Sequence, residues 1–360
     1  EKRVKAGKCD DTGAEITKPL SQADSAWLEQ PDNQRVLKII REYSPSHPEN
    51  LSPLDNLELD LGLDSMRRVE LLVALEQELG GDVEESRLAD IYTVRDLIDA
   101  VRESAASGKK AGKTTSAFAG WGSVLREDPS DPAVLAITKP RPLIDLLLLV
   151  VTRAVKVIWT LRAPIQVEGI ENIPARAPFL LCSNHQSFLD PVMLLAVIPL
   201  RVLMRLFAVG TSEIFGSGFM RHVARILRVV VVDPDANLIP AMRAGAYGLR
   251  QDLSLILYPE GERSIDGTPR TFKKGAAILS IHLQVPIVPI AIDGFQEAWP
   301  RGKSFQKFAR LRIKIGKPIQ PPPESQASED AYAKLTAELK QRVAAMWEEL
   351  RDKKAEGKSA

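Results

Sequence analysis

Apolar residues along this chain follow two patterns, short continuous runs and longer stretches at helical spacing. Continuous runs at residues 178–183 and 254–258 predict buried β-strands. Apolar positions repeat at helical spacing between residues 65 and 76, and residues 34–40 predict a further helix. An alanine- and lysine-rich segment predicts a terminal helix from about residue 329. The first part of the chain is therefore expected to be helical, and strands are expected further along.

A histidine and an aspartate stand five residues apart just after the first of these strands. His185 falls in the predicted turn, and Asp190 lies directly before Pro191. Catalytic groups often occupy such turns. An imidazole can take a proton from an attacking hydroxyl near neutral pH, and a carboxylate that accepts its other N–H fixes the tautomer. Asp190-Pro191 also suits a helix start, because aspartate caps helices and proline favours the first helical position, and both interpretations can hold together.

Charged and hydroxyl residues crowd the turn after the second strand. The loop contains, in order, Glu260, Gly261, Glu262, Arg263 and Ser264, with Lys273 and Lys274 beyond it. Arginine offers planar donors for phosphate, and glutamate can bind polyol hydroxyls. An ordinary solvated turn is the alternative that this loop leaves open when it is considered alone.

Taken together, the two segments resemble the glycerolipid acyltransferases that include 1-acylglycerol-3-phosphate acyltransferase, over roughly residues 140–320. A further match is the apolar strand with two prolines at residues 285–290. The resemblance implies an α/β domain whose mostly parallel or mixed sheet is flanked by helices. It implies that His185 is the general base and that Asp190 orients it. It also assigns a set of residues to the glycerol-phosphate part of the acceptor, namely Glu260, Gly261, Arg263 and Ser264.

One segment departs from this family pattern. Many members carry an arginine after an apolar strand, where this chain has Pro234. A proline cannot bind phosphate, so Pro234 disfavours a bare phosphomonoester, such as lysophosphatidic acid, as the acceptor. The Val-Asp-Pro sequence is more similar to the 2-acylglycerophosphoethanolamine acyltransferases, which use lysophospholipid acceptors. The nearby arginines are candidates to compensate: Arg221, Arg225, Arg228 and Arg243.

A serine at the start of the first long apolar-periodic segment forms a second candidate site. Ser65 follows Gly62-Leu63-Asp64, at a predicted helix N-terminus where backbone N–H groups and the dipole favour an attached phosphate. A plain helix cap is the alternative. However, residues 54–99 hold thirteen acids against four arginines, and a small acidic helical module of this kind resembles an acyl carrier protein. That resemblance implies an all-α bundle with phosphopantetheine on Ser65, a first helix around residues 34–40 and a fourth around 88–97.

The overall composition fits two modest domains. The chain has 360 residues, 44% of them hydrophobic, and a net charge of +1, which can support separate cores. Cys9 and Cys182 are too few for a disulfide framework and lack zinc-ligand spacing, so a reducing compartment and no metal are expected. Nucleic-acid binding is not expected, because no recognisable motif or aromatic platform accompanies the positive charge.

A basic run without an acid extends from Arg301 to Lys317. Its members are Arg301, Lys303, Lys307, Arg310, Arg312, Lys314 and Lys317. Such a run could face anionic lipid or the acidic carrier, or it could be a solvated strand face. The sequence leaves both interpretations open.

Residues 143–159 form the strongest membrane candidate. Asp145, Arg153 and Lys156 count against spanning, because each would cost roughly 2.5 to 3.5 kcal/mol near a bilayer centre. A helix that lies in the interface, anchored by Trp159, is favoured over a core helix. The expected location is the cytoplasmic side of a membrane, as a peripheral or monotopic protein.

These observations predict the following order along the chain. A tail at 1–29, one interpretation of which is the end of an upstream acyl-activating domain, precedes a carrier domain at 30–104, a linker at 105–135, an acyltransferase domain at 136–328, and a C-terminal helix and tail at 329–360. The linker assignment rests on a small, polar and cationic composition at residues 104–116.

The predicted function is acyl transfer from a thioester, on an acyl carrier protein or coenzyme A, to the free hydroxyl of a lysophospholipid in phospholipid synthesis or remodelling. Two alternatives remain: a lysophosphatidic acid acyltransferase with an accessory carrier, and a non-catalytic carrier and membrane-docking module. Expected partners are a lysophospholipid acceptor, the membrane surface, a phosphopantetheinyl transferase and an acyl-activating, adenylate-forming enzyme or domain.

Overall fold

The computed structural model describes residues 24, 27–28, 30–44, 51–63, 65–79, 91–106, 121–216, 218–232 and 238–356. These residues fall into two compact units, which divide between residues 118 and 119. Pro234, Cys9 and His47 lie outside the described residues.

The described part of the first unit includes three long helices, α1 (Pro31–Tyr43), α2 (Ser65–Leu79) and α3 (Val94–Ala106). Helix α2 packs against both α1 and α3. Apolar residues at helical spacing supply the buried faces: Val36, Ile40, Leu71, Leu75, Leu97 and Val101. The helices predicted around residues 34–40 and 65–76 are thus present.

The helix expected at residues 88–97 begins later, at Val94. Thr93 caps it reciprocally with Asp96: the Thr93 N–H donates to Asp96 Oδ2 at 3.1 Å, and the Asp96 N–H donates to Thr93 Oγ1 at 3.2 Å. This exchange satisfies donors at the helix start. The predicted start was wrong because the apolar spacing continues upstream through Ile91, which precedes the cap.

The described residues of the second unit form a seven-stranded sheet in the order β1-β7-β6-β2-β5-β3-β4. The strands are β1 (Ile165–Glu168), β2 (Leu180–Ser183), β3 (Leu206–Gly210), β4 (Val229–Val231), β5 (Ser254–Leu257), β6 (Ile287–Asp293) and β7 (Leu311–Ile315). Neighbours run parallel except β6 and β7, which are antiparallel. The predicted mixed α/β sheet and the predicted strands at 178–183, 254–258 and 285–290 are confirmed.

Helices cover this sheet. They are α4 (Trp121–Val124), α5 (Pro132–Leu135), α6 (Pro142–Thr160), α7 (Leu189–Val197), α8 (Leu200–Leu203), α9 (Ser212–Phe215), α10 (Gly218–Ile226), α11 (Leu238–Arg250), α12 (Gly275–Leu283), α13 (Phe295–Ala298) and α14 (Glu329–Glu356). Leu181 and Ile256 share one core with Met193 of α7, whereas a Cβ on Gly245 of α11 would lie 3.3 Å from Leu255. Successive strand residues therefore face helices on opposite sides, which explains why the strands are almost continuously apolar.

Part of the predicted linker belongs to this second unit. Trp121 is 2% exposed and Leu125 is fully buried, and α4 packs against α11 and α12. The assignment of residues 121–135 to a linker was therefore wrong. The apolar segment is too short for its periodicity to be read from sequence. The terminal helix expected from about residue 329 is present as α14 and packs on β6 and β7.

Helix α6 buries two polar residues, Asp145 and Thr152, together with Leu148 and Trp159, and it exposes most of its other apolar residues. Trp159, expected to anchor the helix in a membrane interface, is therefore part of the core. Asp145 is 5% exposed and Thr152 is 4% exposed. Asp145 accepts from Arg228 at 3.1 Å and from Arg141 at 3.4 Å, and Arg153 donates to the carbonyl of Ile198 at 2.7 Å. The exposed apolar side chains of α6 are Leu143, Ile144, Leu146, Leu147, Val150, Val151, Val157 and Ile158.

Helix α6 therefore presents apolar side chains to the core and to the surface. The name "apolar face" is used below for its eight exposed side chains. No helix among the described residues is both long and apolar enough to span a bilayer.

The basic run from Arg301 to Lys317 is partly neutralised within the second unit. Arg301 pairs with Glu262 at 2.7 Å, Arg312 pairs with Asp293 at 3.3 Å, and Lys314 pairs with Glu349. Arg312 is only 4% exposed. The run is therefore not a uniform cationic face.

Candidate active site

The two motif loops emerge from adjacent parallel strands. Strand β2 pairs with β5 in register, with Cys182 opposite Leu257. Because carboxyl ends of parallel strands meet at one edge of a sheet, the loop with His185 and the loop with Glu260 start side by side. Open α/β sheets commonly place their ligands at this edge.

Asp190 holds His185 directly. His185 Nδ1 lies 2.7 Å from Asp190 Oδ2, and the same oxygen accepts the backbone N–H of Gln186 at 2.6 Å and of Ser187 at 2.9 Å. Asp190 sits in the first turn of α7 and is fully buried. It therefore fixes the imidazole and the turn that carries it, and it does more than start a helix.

The other imidazole nitrogen of His185 is left for a substrate. His185 keeps 18% of its side chain exposed, and its Nε2 accepts or donates no hydrogen bond within the part of the chain that the structure describes. With Nδ1 committed to a carboxylate, the proton of a neutral imidazole resides on Nδ1 and Nε2 becomes the basic nitrogen.

Burial raises the pKa of Asp190, and the hydrogen bonds from His185, Ser187 and Gln186 oppose that shift by stabilising the carboxylate. Its second oxygen, Oδ1, is buried without a hydrogen-bond partner among the described residues. A protonated imidazolium beside it would add a charge-assisted hydrogen bond. The arrangement thus stabilises the state that His185 reaches after it has accepted a proton.

Two side chains beside His185 lock its loop to the neighbouring elements. Asn184 exchanges two hydrogen bonds with the backbone of Ile292, at 3.0 and 2.8 Å. Gln186 donates to the carbonyl of Gly267 at 2.7 Å and accepts from Phe295 N–H at 3.2 Å. These bonds link β2 to β6 and to the second motif loop, so the histidine is preorganised before any substrate binds.

The second loop packs directly on the first. The ring of Tyr258 stacks on His185 with centroids 4.1 Å apart and an interplanar angle of 21°. Glu260 Oε1 accepts the His185 N–H at 3.1 Å, and the Ser264 N–H donates to the His185 carbonyl at 2.8 Å. His185 is therefore held through its side chain and its backbone.

Glu260 also offers one free oxygen. Its Oε2 is buried and has no partner in the described ranges. Burial raises the pKa of Glu260 to about 7, although the N–H groups of His185 and Arg270 oppose the shift. A carboxyl group poised near neutrality can accept from, or donate to, an acceptor hydroxyl.

Arg263 lies on an aromatic platform. Its guanidinium carbon is 3.5 Å from the ring centroid of Phe188, and Phe188 contacts Trp299 edge-on with centroids 5.8 Å apart. Arg263 Nη1 is buried without a hydrogen-bond partner among the residues described. Burial, followed by the charge of Arg301, lowers the pKa of Arg263. The guanidinium stays charged, and an anionic ligand would relieve both effects.

Gly261 and Ser264 shape the loop. Gly261 has φ +77°, a left-handed conformation that strains any other residue. Ser264 is 1% exposed; its hydroxyl donates to Asp266 Oδ1 at 2.9 Å and accepts the Gly267 N–H at 2.9 Å. Ser264 therefore closes the turn of its own loop, in addition to the substrate contact predicted for it.

The structure brings His185, Asp190, Glu260, Gly261 and Arg263 together at one edge of the sheet. The sequence did not indicate the Tyr258 stack, the Phe188 platform or the Asn184 and Gln186 braces. Of these residues, Phe188 had a local sequence signal, because an aromatic residue next to a predicted catalytic turn is a candidate partner for a loop arginine.

Ser65 lies in the first unit, where it is the first residue of the 15-residue helix α2. The first turn of α2 contains no acidic residue, and Gly62 before it has φ +67°. The N–H groups and dipole of a helix N-terminus favour negative charge. A phosphate attached to Ser65 would lie at such a terminus. Asp64 lies outside the described residues.

The remaining described histidines stand apart from this site. His222 is exposed on α10, and His282 contacts the Tyr332 hydroxyl at 2.7 Å and Glu324 at 3.3 Å. Within the described ranges, His, Cys, Asp and Glu side chains form no group of three that could hold a metal ion.

Family models match both units. Residues 164–293 match the model described as Acyltransferase, and residues 34–101 match the model described as Phosphopantetheine attachment site. The chain therefore carries a phosphopantetheine-attachment domain followed by an acyltransferase domain, and both resemblances in the sequence are confirmed.

Curated relatives share the acyltransferase part. A 1-acyl-sn-glycerol-3-phosphate acyltransferase of Limnanthes alba is 29% identical over 51% of this chain and 64% of its own length. The human 1-acyl-sn-glycerol-3-phosphate acyltransferase alpha is 27% identical over 47% of this chain and 59% of its own length. The chain thus spans somewhat less than two thirds of these relatives. A solved acyltransferase structure, PlsC from Thermotoga maritima, is 24% identical with a TM-score of 0.48, covering 61% of this chain and 87% of that chain.

Proposed function

We propose that this chain, which joins a phosphopantetheine-attachment domain to an acyltransferase domain, transfers an acyl group from a thioester to the free hydroxyl of a lysophospholipid. The observation that carries the proposal is the pairing of His185 Nδ1 with buried Asp190 at 2.7 Å. That pairing leaves Nε2 as a base to which no nucleophilic side chain is hydrogen-bonded among the described residues. The attacking hydroxyl then belongs to the acceptor.

The reaction follows from these positions. His185 Nε2 takes the proton as the acceptor oxygen attacks the thioester carbonyl carbon, and Asp190 stabilises the imidazolium. The tetrahedral intermediate collapses by breaking the C–S bond, so an ester forms and the thiolate leaves. His185 returns the proton to the departing sulfur, which restores the neutral imidazole.

The second motif loop supports the acceptor. Arg263, held on Phe188, would donate to a phosphate oxygen of the glycerophosphate group. Glu260 Oε2, buried without a partner among the described residues, would bind a glycerol oxygen. Gly261 allows the loop backbone to approach. Holding the acceptor hydroxyl against Nε2 converts an encounter into an oriented attack.

The carrier domain supports a donor role. Ser65 would hold phosphopantetheine, whose thiol carries an acyl group as a thioester. Tethering a donor to the acyltransferase would raise its effective concentration to roughly millimolar if the linker spans the two sites. Coenzyme A thioesters are the alternative donor. A phosphopantetheinyl transferase and an acyl-activating enzyme would act upstream.

The apolar face of α6 supports contact with a membrane surface. Leu143 is 81% exposed and Val150 is 58% exposed, while Asp145 and Arg153 are bonded inward and need not enter lipid. This removes the charge cost that spanning or deep burial would impose on those residues. An interfacial position, at the cytoplasmic side of a membrane, fits a lipid acceptor and a lipid product.

Lysophosphatidic acid is the second candidate acceptor, because the relatives reported above are named 1-acyl-sn-glycerol-3-phosphate acyltransferases. The sequence feature against it is Pro234, where many members carry an arginine. In that case the carrier would be an accessory to the same hydroxyl acylation.

Product analysis by mass spectrometry distinguishes these candidates. The chain is pantetheinylated, Ser65 is loaded with a labelled acyl group, and lysophosphatidic acid is offered beside lysophosphatidylethanolamine and lysophosphatidylglycerol. A parallel reaction uses labelled acyl-CoA. We expect most of the label in one diacyl lipid, the product of either lysophosphatidylethanolamine or lysophosphatidylglycerol.

Two variants identify the groups responsible. His185→Ala should abolish labelled lipid from both donors while lipid binding persists. Ser65→Ala should abolish transfer from the loaded chain and leave acyl-CoA transfer unchanged. Label in the lysophosphatidic acid product alone would favour the second candidate, and no labelled lipid from any donor or acceptor would refute acyl transfer to lysophospholipids.

A further inference from the structure

A second polar site lies at the amino edge of the sheet, opposite His185. A cleft of about 490 Å³ is lined by residues at or just before the starts of β2, β3 and β5, including Arg176, Phe179, Arg201, Arg205, Asp252 and Ser254. Clefts of this volume are in the range of small-molecule sites. Strand β2 alone spans roughly 13 Å at about 3.3 Å per residue, so the cleft is separate from the catalytic edge.

The cleft is basic. Arg176, Arg201 and Arg205 are exposed, and none of them forms an ion pair with a carboxylate in the described part of the chain. Arg205 makes a long hydrogen bond, 3.4 Å, to the carbonyl of Asp252. Against these three cations the lining offers one carboxylate, that of Asp252. The site therefore suits a ligand with negative charge.

A buried hydroxyl in the lining adds an independent observation. Ser254 is 1% exposed, and its Oγ is buried without a hydrogen-bond partner among the described residues. A buried hydroxyl that lacks a partner costs free energy, and a phosphate oxygen in the cleft would accept its proton. Three guanidinium groups and this hydroxyl line the same cleft, and together they form a mixed donor set suited to a phosphate.

The cleft borders apolar surface. Leu200 and Met204 alternate with Arg201 and Arg205 along α8 and its end, and they are 42% and 40% exposed. Helix α8 packs against α6, and Arg228, which pairs with Asp145 of α6, also donates to the Met204 carbonyl. Basic and apolar side chains are thus adjacent, as at the surfaces of proteins that meet anionic bilayers.

We infer that this cleft binds the phosphate group of an anionic phospholipid while the apolar face of α6 contacts the membrane. The inference rests on the proposed membrane contact and adds a headgroup site distinct from the acceptor site at His185. The occupant is a lipid of the bilayer, because exposed apolar side chains flank the donors and a soluble anion would leave them in water.

Vesicle binding tests this inference. The full chain is mixed with zwitterionic phosphatidylcholine vesicles and with vesicles containing phosphatidylglycerol, and the bound fraction is measured by co-sedimentation. The wild type should bind both and prefer the anionic vesicles. Arg176→Gln, Arg201→Gln and Arg205→Gln combined should weaken anionic binding on the order of 100-fold, since each basic residue near such a surface contributes about a factor of five, with zwitterionic binding unchanged.

Two controls separate a built site from diffuse attraction. Lys317→Gln, Lys334→Gln and Lys340→Gln combined remove the same charge from exposed positions outside the cleft lining and should weaken anionic binding far less. Ser254→Ala leaves the charge unchanged and should still weaken anionic binding several-fold.

Equal losses in the two triple variants, or an unaltered Ser254→Ala protein, would overturn the headgroup site. A wild type that binds neither vesicle would overturn the headgroup site and the membrane contact together. Acyl transfer is measured in a separate assay with detergent-dispersed substrates. Failure of the catalytic proposal would appear as absence of acyl transfer in that assay, whichever vesicle result is obtained.

Discussion

Replacing Asp190 by asparagine isolates the effect of its charge on His185, the proposed general base. Three donors converge on one oxygen, Oδ2, from His185 Nδ1 and from the N–H groups of Gln186 and Ser187. The other oxygen has no partner within the described residues. The amide oxygen of Asp190→Asn can therefore occupy the Oδ2 position and keep all three hydrogen bonds, with its NH₂ group at the Oδ1 position.

The expected fall in kcat for Asp190→Asn follows from the weaker hydrogen bond to the imidazolium. Hydrogen bonds to charged groups are worth about 1.5–3 kcal/mol and neutral ones about 0.5–1.5 kcal/mol, so the variant should lose roughly 1–2 kcal/mol of imidazolium stabilisation. That corresponds to a fall in kcat of roughly 5- to 30-fold. Asp190→Ala removes the acceptor altogether and leaves two buried N–H groups unpaired, at about 1–3 kcal/mol each.

The assay is the initial rate of diacyl lipid formation, measured beside urea denaturation of each variant. Asp190→Asn should keep a free energy of unfolding close to that of the wild type, and Asp190→Ala should lose both stability and nearly all activity. A wild-type rate in Asp190→Asn would refute a role for the charge. A loss near 10⁴-fold would mean that the amide sits the other way and holds the wrong imidazole tautomer, as seen in a serine protease triad.

Three further predictions concern groups around this site and at α6. Burial raises the pKa of Glu260 from 4.5 to about 7, so the unfolded chain releases this proton at a lower pH than the folded chain does. Relative to Glu260→Gln, the wild type should therefore lose free energy of unfolding as the pH rises from about 4.5 to 7, and the difference should then level off. Urea denaturation at a series of pH values measures this difference. Tyr258→Phe removes a hydroxyl that is buried without a described partner and keeps the stack on His185, so unfolding free energy and kcat should stay within about 1 kcal/mol and twofold, whereas Tyr258→Leu should lower kcat. Asp145→Ala leaves Arg228 buried without its counter-charge and should reduce the free energy of unfolding by about 3–5 kcal/mol.

Each of these predictions has a result that contradicts it. A stability difference between wild type and Glu260→Gln that is constant with pH would show that Glu260 ionises normally. Destabilisation of Tyr258→Phe by more than about 1 kcal/mol would reveal a partner for its hydroxyl. For Asp145, the control is the exposed pair of Glu338 and Arg342; Glu338→Gln should cost less than about 1 kcal/mol, and equal losses would refute the distinction between the two pairs.

The pairing of His185 with Asp190 could be predicted because its signal is local. His185 and Asp190 lie within one turn after a short apolar run, and that run fixes where the strand ends. The same reasoning located Glu260 and Arg263. The contacts between the two loops could not be predicted, because His185 and Glu260 are 75 residues apart and meet only through the β2–β5 pairing.

Helix α6 shows a different limit. Its apolar composition and its few charges predicted a helix at a membrane interface, but composition does not state which side chains meet the core. The inward direction is decided by Asp145 and its partner Arg228, 83 residues away. The linker error has a similar cause, since the buried position of Trp121 depends on helices α11 and α12.

The most direct test of the proposed function is the rate of ester formation by the wild type and by His185→Ala, with an acyl thioester and a lysophospholipid as substrates. Vesicle binding of the same two proteins shows whether the variant still reaches lipid. Acyl transfer predicts measurable turnover in the wild type, loss of at least about 100-fold in the variant, and equal lipid binding. Equal turnover in the two proteins, or none in either with lipid binding intact, would contradict His185-catalysed acyl transfer.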